Sequence, residues 1–348
     1  MSYRVIQWYT GAIAREQIGM IQRNPELELV GAVVHHEEKA GVDVGVITKS
    51  QATGITTVGN LDAGLAIDAD VVLYNAPFER YDEIIRILES GKNVITPSAA
   101  FYPKSRPELG EIEAACKKGG VSLLGTGVNP GFAGDVLPLV ASSLCASVET
   151  IHIQEVGELT GWDPFLLTEV MKFGREVEEL QQDASYFDLM TNSFQQSCRM
   201  LAEALNFDVD DVTTRPGFAR AKRDLLDGRV KQGTVGGIHL QVVVRSNGSP
   251  VVTEDLYWLL DKDLDLTQDP GWNLDPDAGE WKIEIAGHPS VKLGATLSSP
   301  RGLGGAGQIA TGARMVNSIR DVCEAATGIL TAATAPLPRC WNFPNVAR

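Results

Sequence analysis

Over the first 130 or so residues, short continuous apolar runs alternate with stretches of helical periodicity. Residues 5–8, 29–34, 55–58, 71–75, 94–96 and 121–124 read as strands, and residues 81–90 and 107–118 as helices between them. Repeated strand–helix units with short linkers predict an α/β fold on a parallel, doubly wound sheet. Strands such as residues 70–74 (D-V-V-L-Y) lack polar alternation, as a sheet covered on both faces requires. Ligand is expected in the crevice beyond the strand carboxyl ends.

The texture changes at residue 125. A glycine-rich loop, residues 125–132 (G-T-G-V-N-P-G-F), leads into a helical run over 133–145 and a strand over 149–157. Helical stretches follow at 165–172 and 176–205, then strand-like segments near 235–244, 250–259 and 281–286. This pattern predicts a second, α+β domain on a mixed or antiparallel sheet. A last helical run covers 311–326.

The sharpest local signal is at the N-terminus. Residues 3–15 (Y-R-V-I-Q-W-Y-T-G-A-I-A-R) run from a strand through a Thr-Gly turn into a helix. A helix N-terminus presents unpaired amides to an anion, and glycine lets a pyrophosphate approach the backbone. A G-x-G-x-x-G pattern would fall on Tyr9, Gly11 and Ala14, of which only Gly11 is glycine, while Ala14 is acceptably small. The next strand, residues 28–34, begins at the distance a dinucleotide-binding βαβ unit requires. Thr10, Gly11, Ala12 and Ile13 are therefore the expected pyrophosphate contacts.

Composition narrows the partners. The chain has 348 residues, enough for one or two domains, and a net charge of −15. That charge argues against nucleic acid and anionic membranes as partners. No apolar run has the length of a membrane span and no signal-peptide pattern opens the chain, so a soluble, cytoplasmic protein is expected. The five cysteines are scattered and no Cys/His cluster has metal-ligand spacing, so neither disulfide nor metal is expected.

Five segments resemble a known group: V-I-Q-W-Y-T-G-A-I-A-R at 5–15, G-K-N-V-I-T-P at 91–97, G-T-G-V-N-P-G-F at 125–132, M-K-F-G-R at 171–175 and T-G-A-R-M-V-N at 311–317. Together they make the chain similar to the dihydrodipicolinate reductase-like superfamily, nearest to 2,4-diaminopentanoate dehydrogenase and the native amine dehydrogenases. The resemblance implies a Rossmann-type domain at 1–132 completed by 303–348, with a C-terminal helix returning to it. It implies a substrate and oligomerisation domain at 133–302, and a homo-oligomer, a dimer, formed through that domain's sheet. It further implies NAD(P)-dependent hydride transfer at a carbon bearing nitrogen or oxygen. Residues 35–39 (H-H-E-E-K) look like the H-H-x-x-K of true dihydrodipicolinate reductases but follow the second strand of the first domain. The counterpart region, 151–163, has no such motif, so that chemistry is not expected.

The end of the second strand instead faces the expected adenosine ribose. An acid there goes with NAD, whereas this chain has His35, followed by His36 and Lys39 as cations for a 2′-phosphate. NADP(H) is thus favoured over NAD(H), with Glu37 and Glu38 opposing. Asn75, Ala76 and Pro77, with Thr96, Pro97 and Ser98, are expected beside the nicotinamide, and Asn129 can offer an amide. In amine-active relatives a glutamate follows the strand that here ends at Thr96. This chain reads Ser98-Ala99-Ala100-Phe101-Tyr102, so the acid is replaced near Ala99 and Ala100. Ser98 or Tyr102 then becomes the candidate proton donor, with Glu155 and Glu158 as carboxylate alternatives from the second domain. Phe132, Trp162 and Phe165 are the candidate apolar pocket for a small-molecule substrate. The competing expectation is a non-catalytic NAD(P)-binding sensor or scaffold.

Overall fold

A computed structural model describes residues 2–267, 272, 274, 280–300 and 302–341. Among them the chain divides into two compact units, residues 1–132 with 308–348, and residues 133–307. Residues 342–348 of the expected C-terminal return lie outside the described residues.

The first unit opens with β1 (Tyr3–Trp8), α1 (Ala12–Arg23) and β2 (Leu27–Val33), then two short helices, α2 (Val44–Ile47) and α3 (Leu61–Leu65). It continues through β3 (Val71–Tyr74), α4 (Tyr81–Glu89), β4 (Asn93–Thr96), α5 (Leu109–Gly119) and β5 (Ser122–Gly125). The second unit holds α6 (Val136–Ser142), β6 (Ser147–Glu158), α7 (Val177–Leu180), α8 (Ala184–Ala204), β7 (Asp211–Ala221), β8 (Val235–Ser246) and β9 (Ser249–Leu259). It ends with β10 (Leu264–Asp265), β11 (Trp281–His288) and β12 (Val291–Ala295). Then α9 (Gly302–Asn317), α10 (Ile319–Cys323) and β13 (Gly328–Leu330) carry the chain back to the first unit.

The first sheet is six-stranded and parallel, in the order β13-β5-β4-β3-β1-β2. Strand alternation assigns its two faces. Val5, Val71, Leu73, Ile95 and Leu124 pack against Ile21 of α1 and against Met315, Val316, Ile319 and Val322 of α9 and α10. Ile6, Trp8, Val72, Tyr74, Val94 and Leu123 pack against Ile84, Ile87 and Leu88 of α4 and Ile112 and Ala115 of α5. Both faces are covered, which is why these strands carry no polar alternation. Residues 55–58 do not extend the sheet. Thr56 and Val58 form only isolated bridges, to Asp43 and Val33, since glycines flank the segment at 54 and 59 and curtail pairing.

The second sheet is mixed and seven-stranded, ordered β10-β7-β8-β9-β6-β11-β12, with β6 and β9 parallel and the other pairs antiparallel. Ile151, Ile153, Ile238, Leu240, Val242 and Leu256 bury one face against Phe194, Cys198, Leu201 and Ala202 of α8. The helical run over 176–205 is broken, because Asp183 caps α8 by accepting from the Tyr186 amide and so ends the preceding turn. The run over 133–145 is also shorter than its pattern, with Asp135 capping α6. The stretch over 165–172 contains one π-helical turn at 166–170. β7 contains Pro216, which is accommodated because β10 pairs only with Arg220 and Ala221 and leaves most of β7 as an edge.

Phe218 sits at the centre of this second core, 1% exposed and with its ring centroid 5.7 Å from that of Phe187. Phe218→Ala is expected to destabilise the protein by about 3–5 kcal/mol, read as a lowered urea midpoint followed by tryptophan fluorescence.

Candidate active site

The first unit gathers its polar chemistry at the carboxyl ends of the parallel strands. β1 is followed by Tyr9, which adopts a left-handed conformation (φ 65°) and donates its amide to the Val33 carbonyl at 2.8 Å. That conformation is the one a glycine would supply, so the turn keeps its shape although its first glycine is absent. Gly11 then caps α1 with no side-chain hydrogen bond, and the first turn holds no acid. A Cβ placed on Gly11 would meet nothing within 4 Å. The positive end of a three-turn helix, with no acid in its first turn and open space beside Gly11, suits a pyrophosphate. Thr10, Ala12 and Ile13 flank this position.

The Tyr9 side chain turns away from that opening. Its hydroxyl donates to the Glu83 carboxylate at 2.9 Å, Tyr74 donates to the same carboxylate at 2.5 Å, and Arg80 pairs with it at 2.7 Å. Glu83 is 7% exposed, and a buried carboxylate needs such partners. Burial first, and then Glu83, pushes the Tyr9 hydroxyl up to about 12, and the same causes raise Tyr74 further. The Tyr9 ring also meets the edge of His35 at 5.6 Å between centroids. His35 in turn lies 5.1 Å from His36, and Lys39 closes the short turn 37–39. All three of these basic residues are exposed.

Beyond β3, Asn75 donates to Gln17 Oε1 at 2.6 Å, and the fully buried Gln17 donates to the Met315 sulfur at 3.0 Å. Asn75 Oδ1 is buried with no hydrogen bond among the described residues, an acceptor that a polar ligand at this edge would satisfy. Together with the open α1 terminus, it is the observation by which the residues present fit a nicotinamide dinucleotide. Ala76 is buried and Pro77 exposed.

The segment after β4 is tightly held. Thr96 is fully buried and its hydroxyl lies 3.3 Å from that of Ser98, with Pro97 between them. Ala99 and Ala100 are completely buried, and Ala100 is left-handed (φ 58°) with its amide donated to the Tyr81 hydroxyl at 3.2 Å. That hydroxyl donates to Glu79 at 3.1 Å, and Glu79 pairs with Arg106 at 3.2 Å. Tyr102 is half-buried beneath the Lys104 ammonium. The next strand end abuts this segment: a Cβ on Gly125 would lie 2.3 Å from the Ala99 carbonyl, so only glycine fits there. Residues 125–132 then leave β5, carrying Asn129 and the partly exposed Phe132.

The second-unit candidates are engaged in different ways. Glu155 accepts from the indoles of Trp258 at 3.0 Å and Trp281 at 2.8 Å. Glu158 pairs with Lys262 at 2.6 Å. Trp162 packs on the second core, while Phe165 is 68% exposed. Among the described residues no helix is long and apolar enough to cross a membrane, and no group of three or more His, Cys, Asp or Glu is arranged to hold a metal.

Residues 132–345 match the model of the 2,4-diaminopentanoate dehydrogenase C-terminal domain. The chain belongs to this family. It is 28% identical over 353 residues to an amine dehydrogenase of Streptomyces virginiae, covering 95% of this chain and 96% of that protein. It is 29% identical over 286 residues to 2,4-diaminopentanoate dehydrogenase of Acetoanaerobium sticklandii, covering 78% and 75% respectively. Its fold is that of the amine dehydrogenase from Mycobacterium smegmatis, with a TM-score of 0.80 at 21% identity over 98% of both chains. As a family member it is an NAD(P)-dependent oxidoreductase, and the sequence resemblance to diaminopentanoate and amine dehydrogenases stands.

For this dehydrogenase, sequence reasoning passed over the Tyr9–Tyr74–Glu83–Arg80 cluster and Gln17. The available signal was a tyrosine in a glycine position together with an acid, Glu83, on the same face of α4 as Ile84 and Ile87. Tyr9→Phe removes the hydrogen bond to Glu83 and the long one accepted from Arg80, and is expected to cost about 1.5–3 kcal/mol. Because the folded Tyr9 hydroxyl is raised from 10 to about 12, its contribution is complete below pH 10 and is lost as pH rises towards 12. The stability gap between wild type and Tyr9→Phe should therefore narrow across that window in chemical denaturation at stepped pH.

Proposed function

We propose that this oxidoreductase transfers hydride to or from a C=N/C–N or C=O/C–OH carbon of a small, partly apolar substrate. The carrying observation is the uncapped α1 terminus at Gly11 on the same strand-end edge as the unsatisfied Asn75 oxygen. In this reading residues 1–132, completed by the returning C-terminal segment, form the coenzyme domain, and residues 133–302 form the substrate and oligomerisation domain. The coenzyme supplies the hydride when bound. The α1 amides and Thr10, Gly11, Ala12 and Ile13 hold its pyrophosphate, and Asn75, Ala76, Pro77, Thr96, Pro97 and Asn129 line its nicotinamide end.

The proton falls to Ser98 or Tyr102. Two observations favour them: Ala99 and Ala100 leave no acid after β4, and Glu155 and Glu158 are already engaged by two indoles and a lysine. Phe132, Trp162 and Phe165 would supply apolar contact to the substrate. NADP(H) is preferred because no acid terminates β2 and because His35, His36 and Lys39 are exposed there. The protein works as a homodimer in the cytoplasm. The absent acid also supports a second reading, a coenzyme-binding sensor that never turns over.

Titration of the purified protein with NADPH and NADH tests coenzyme use, with tighter NADPH binding expected. The double variant His36→Ala, Lys39→Ala should weaken NADPH by about tenfold, the loss of one charge-assisted phosphate contact, and leave NADH unchanged. Equal weakening of both coenzymes removes the 2′-phosphate assignment. Ketone-dependent NADPH oxidation with and without ammonium then separates the chemistries. A rate that needs ammonium means amine chemistry, a rate indifferent to it means carbonyl reduction, and binding without turnover of any carbonyl favours the sensor.

A further inference from the structure

The loop over 125–132 is held from outside itself. Its backbone is contorted, since Gly131 has φ +117° and a Cβ there would stand 2.1 Å from the Gly127 amide nitrogen. Two side chains one turn apart on α9 restrain it. Thr311 accepts from the Val128 amide at 3.3 Å. Arg314 Nε reaches both the Thr126 hydroxyl, at 3.3 Å, and the Gly131 carbonyl, at 3.1 Å. The guanidinium also lies 5.7 Å from the centroid of the Phe132 ring, within cation–π range. One planar cation thereby ties both ends of the loop and its terminal aromatic residue to one helix.

The same turns of α9 touch the other half of the strand-end edge. A Cβ on Gly312 would sit 3.3 Å from Gln17 Cγ and 3.5 Å from the Ile13 carbonyl on α1. Met315 accepts from Gln17, whose own carbonyl receives the Asn75 amide. Residues 311–315 therefore contact both α1, where the pyrophosphate is expected, and the loop that leaves β5.

We infer that Arg314 and Thr311 are positioning residues that set the loop 125–132 for the nicotinamide end of the coenzyme, an inference that rests on the dehydrogenase reading above. The strand order places β2 on one side of β1 and β3, β4 and β5 on the other. In a doubly wound sheet the adenosine ribose lies at the end of β2, so the β5 loop serves the opposite, nicotinamide end. Disturbing the latch should harm the nicotinamide half of the ligand and spare the adenosine half.

The test uses the full chain as wild type, Arg314→Ala, Arg314→Lys and Thr311→Ala, each first checked by thermal melting. Three quantities are measured: affinity for NADPH, affinity for adenosine 2′,5′-bisphosphate, and the fluorescence of bound nicotinamide. We expect Arg314→Ala to weaken NADPH by on the order of tenfold and to dim the bound nicotinamide, with the bisphosphate held within twofold. Arg314→Lys, which keeps the charge but not the fork, should recover part of the loss. Thr311→Ala should shift the same readings in the same direction by less, and it carries the test if Arg314→Ala does not fold. Unchanged NADPH binding, or equal weakening of NADPH and bisphosphate, overturns the positioning role. A wild type that binds the bisphosphate but neither NADPH nor NADH overturns that role and the nicotinamide reading together, whereas failure of the variants' pattern in a coenzyme-binding wild type overturns the latch alone.

Discussion

A single buried carboxylate organises the end of β1 in the first unit. Glu83 has been taken out of water between β1, β3 and α4, and a lone charge in such a place costs several kcal/mol. Two tyrosine hydroxyls and one guanidinium offset that cost. Tyr9 reaches Glu83 on α4 from a left-handed backbone. The chain therefore has a left-handed residue where a dinucleotide-binding turn would carry its first glycine, and its ring is held by Glu83. Beside Gly11 the space stays open.

The same arrangement recurs at the two neighbouring strand ends. Ala100 is left-handed and anchored through Tyr81 to Glu79 and Arg106. Gly131 has a positive φ and is anchored through Arg314. At Tyr9 and Ala100 a left-handed conformation that a side chain seldom adopts is held by contacts that end on a charged group of a neighbouring helix or loop, whereas Gly131 adopts its positive φ freely and is only tethered. Conformations of this kind persist only where surrounding contacts enforce them, and they gather at binding edges. The three anchors come from the α4 region, from the segment beginning at Glu79 and from the returning helix α9. The last requires a stretch nearly two hundred residues away in sequence.

How much of this was legible in the sequence follows from the range of the forces involved. Strand burial is a local property, so the apolar runs that become β1, β3, β4 and β5 were readable, as was the turn into α1. The second sheet was less so. β7 carries Pro216 and alternates weakly because its edge position relaxes the constraint that makes a central strand conspicuous. The break at Asp183 is a single capping bond inside an otherwise helical pattern. Of the site, the Gly11 turn and the strand-end positions were visible as motif and topology. The anchors were not, because Tyr9 with Glu83 and Thr126 with Arg314 are pairings of tertiary structure, separated by 74 and 188 positions. A tyrosine where glycine is expected tells the reader that something compensates, and only the fold tells what.

Packing closes the turn after β4 to an acid. Ala99 and Ala100 are both fully enclosed, the Ala100 amide is committed to Tyr81, and the Ala99 carbonyl lies where a Cβ on Gly125 would be. A glutamate at either position would push four more heavy atoms into space closed around a methyl group, and close-packed interiors resist such insertion. It would also bring a second carboxylate towards Glu79, which is one hydroxyl away through Tyr81, and like charges in a buried setting raise each other's cost of ionisation. An acid at this turn would therefore require the local structure to be rebuilt and not one side chain exchanged. Tyr81, Glu79 and Arg106 supply the polar contacts at this turn instead, as a strut under the Ala100 amide.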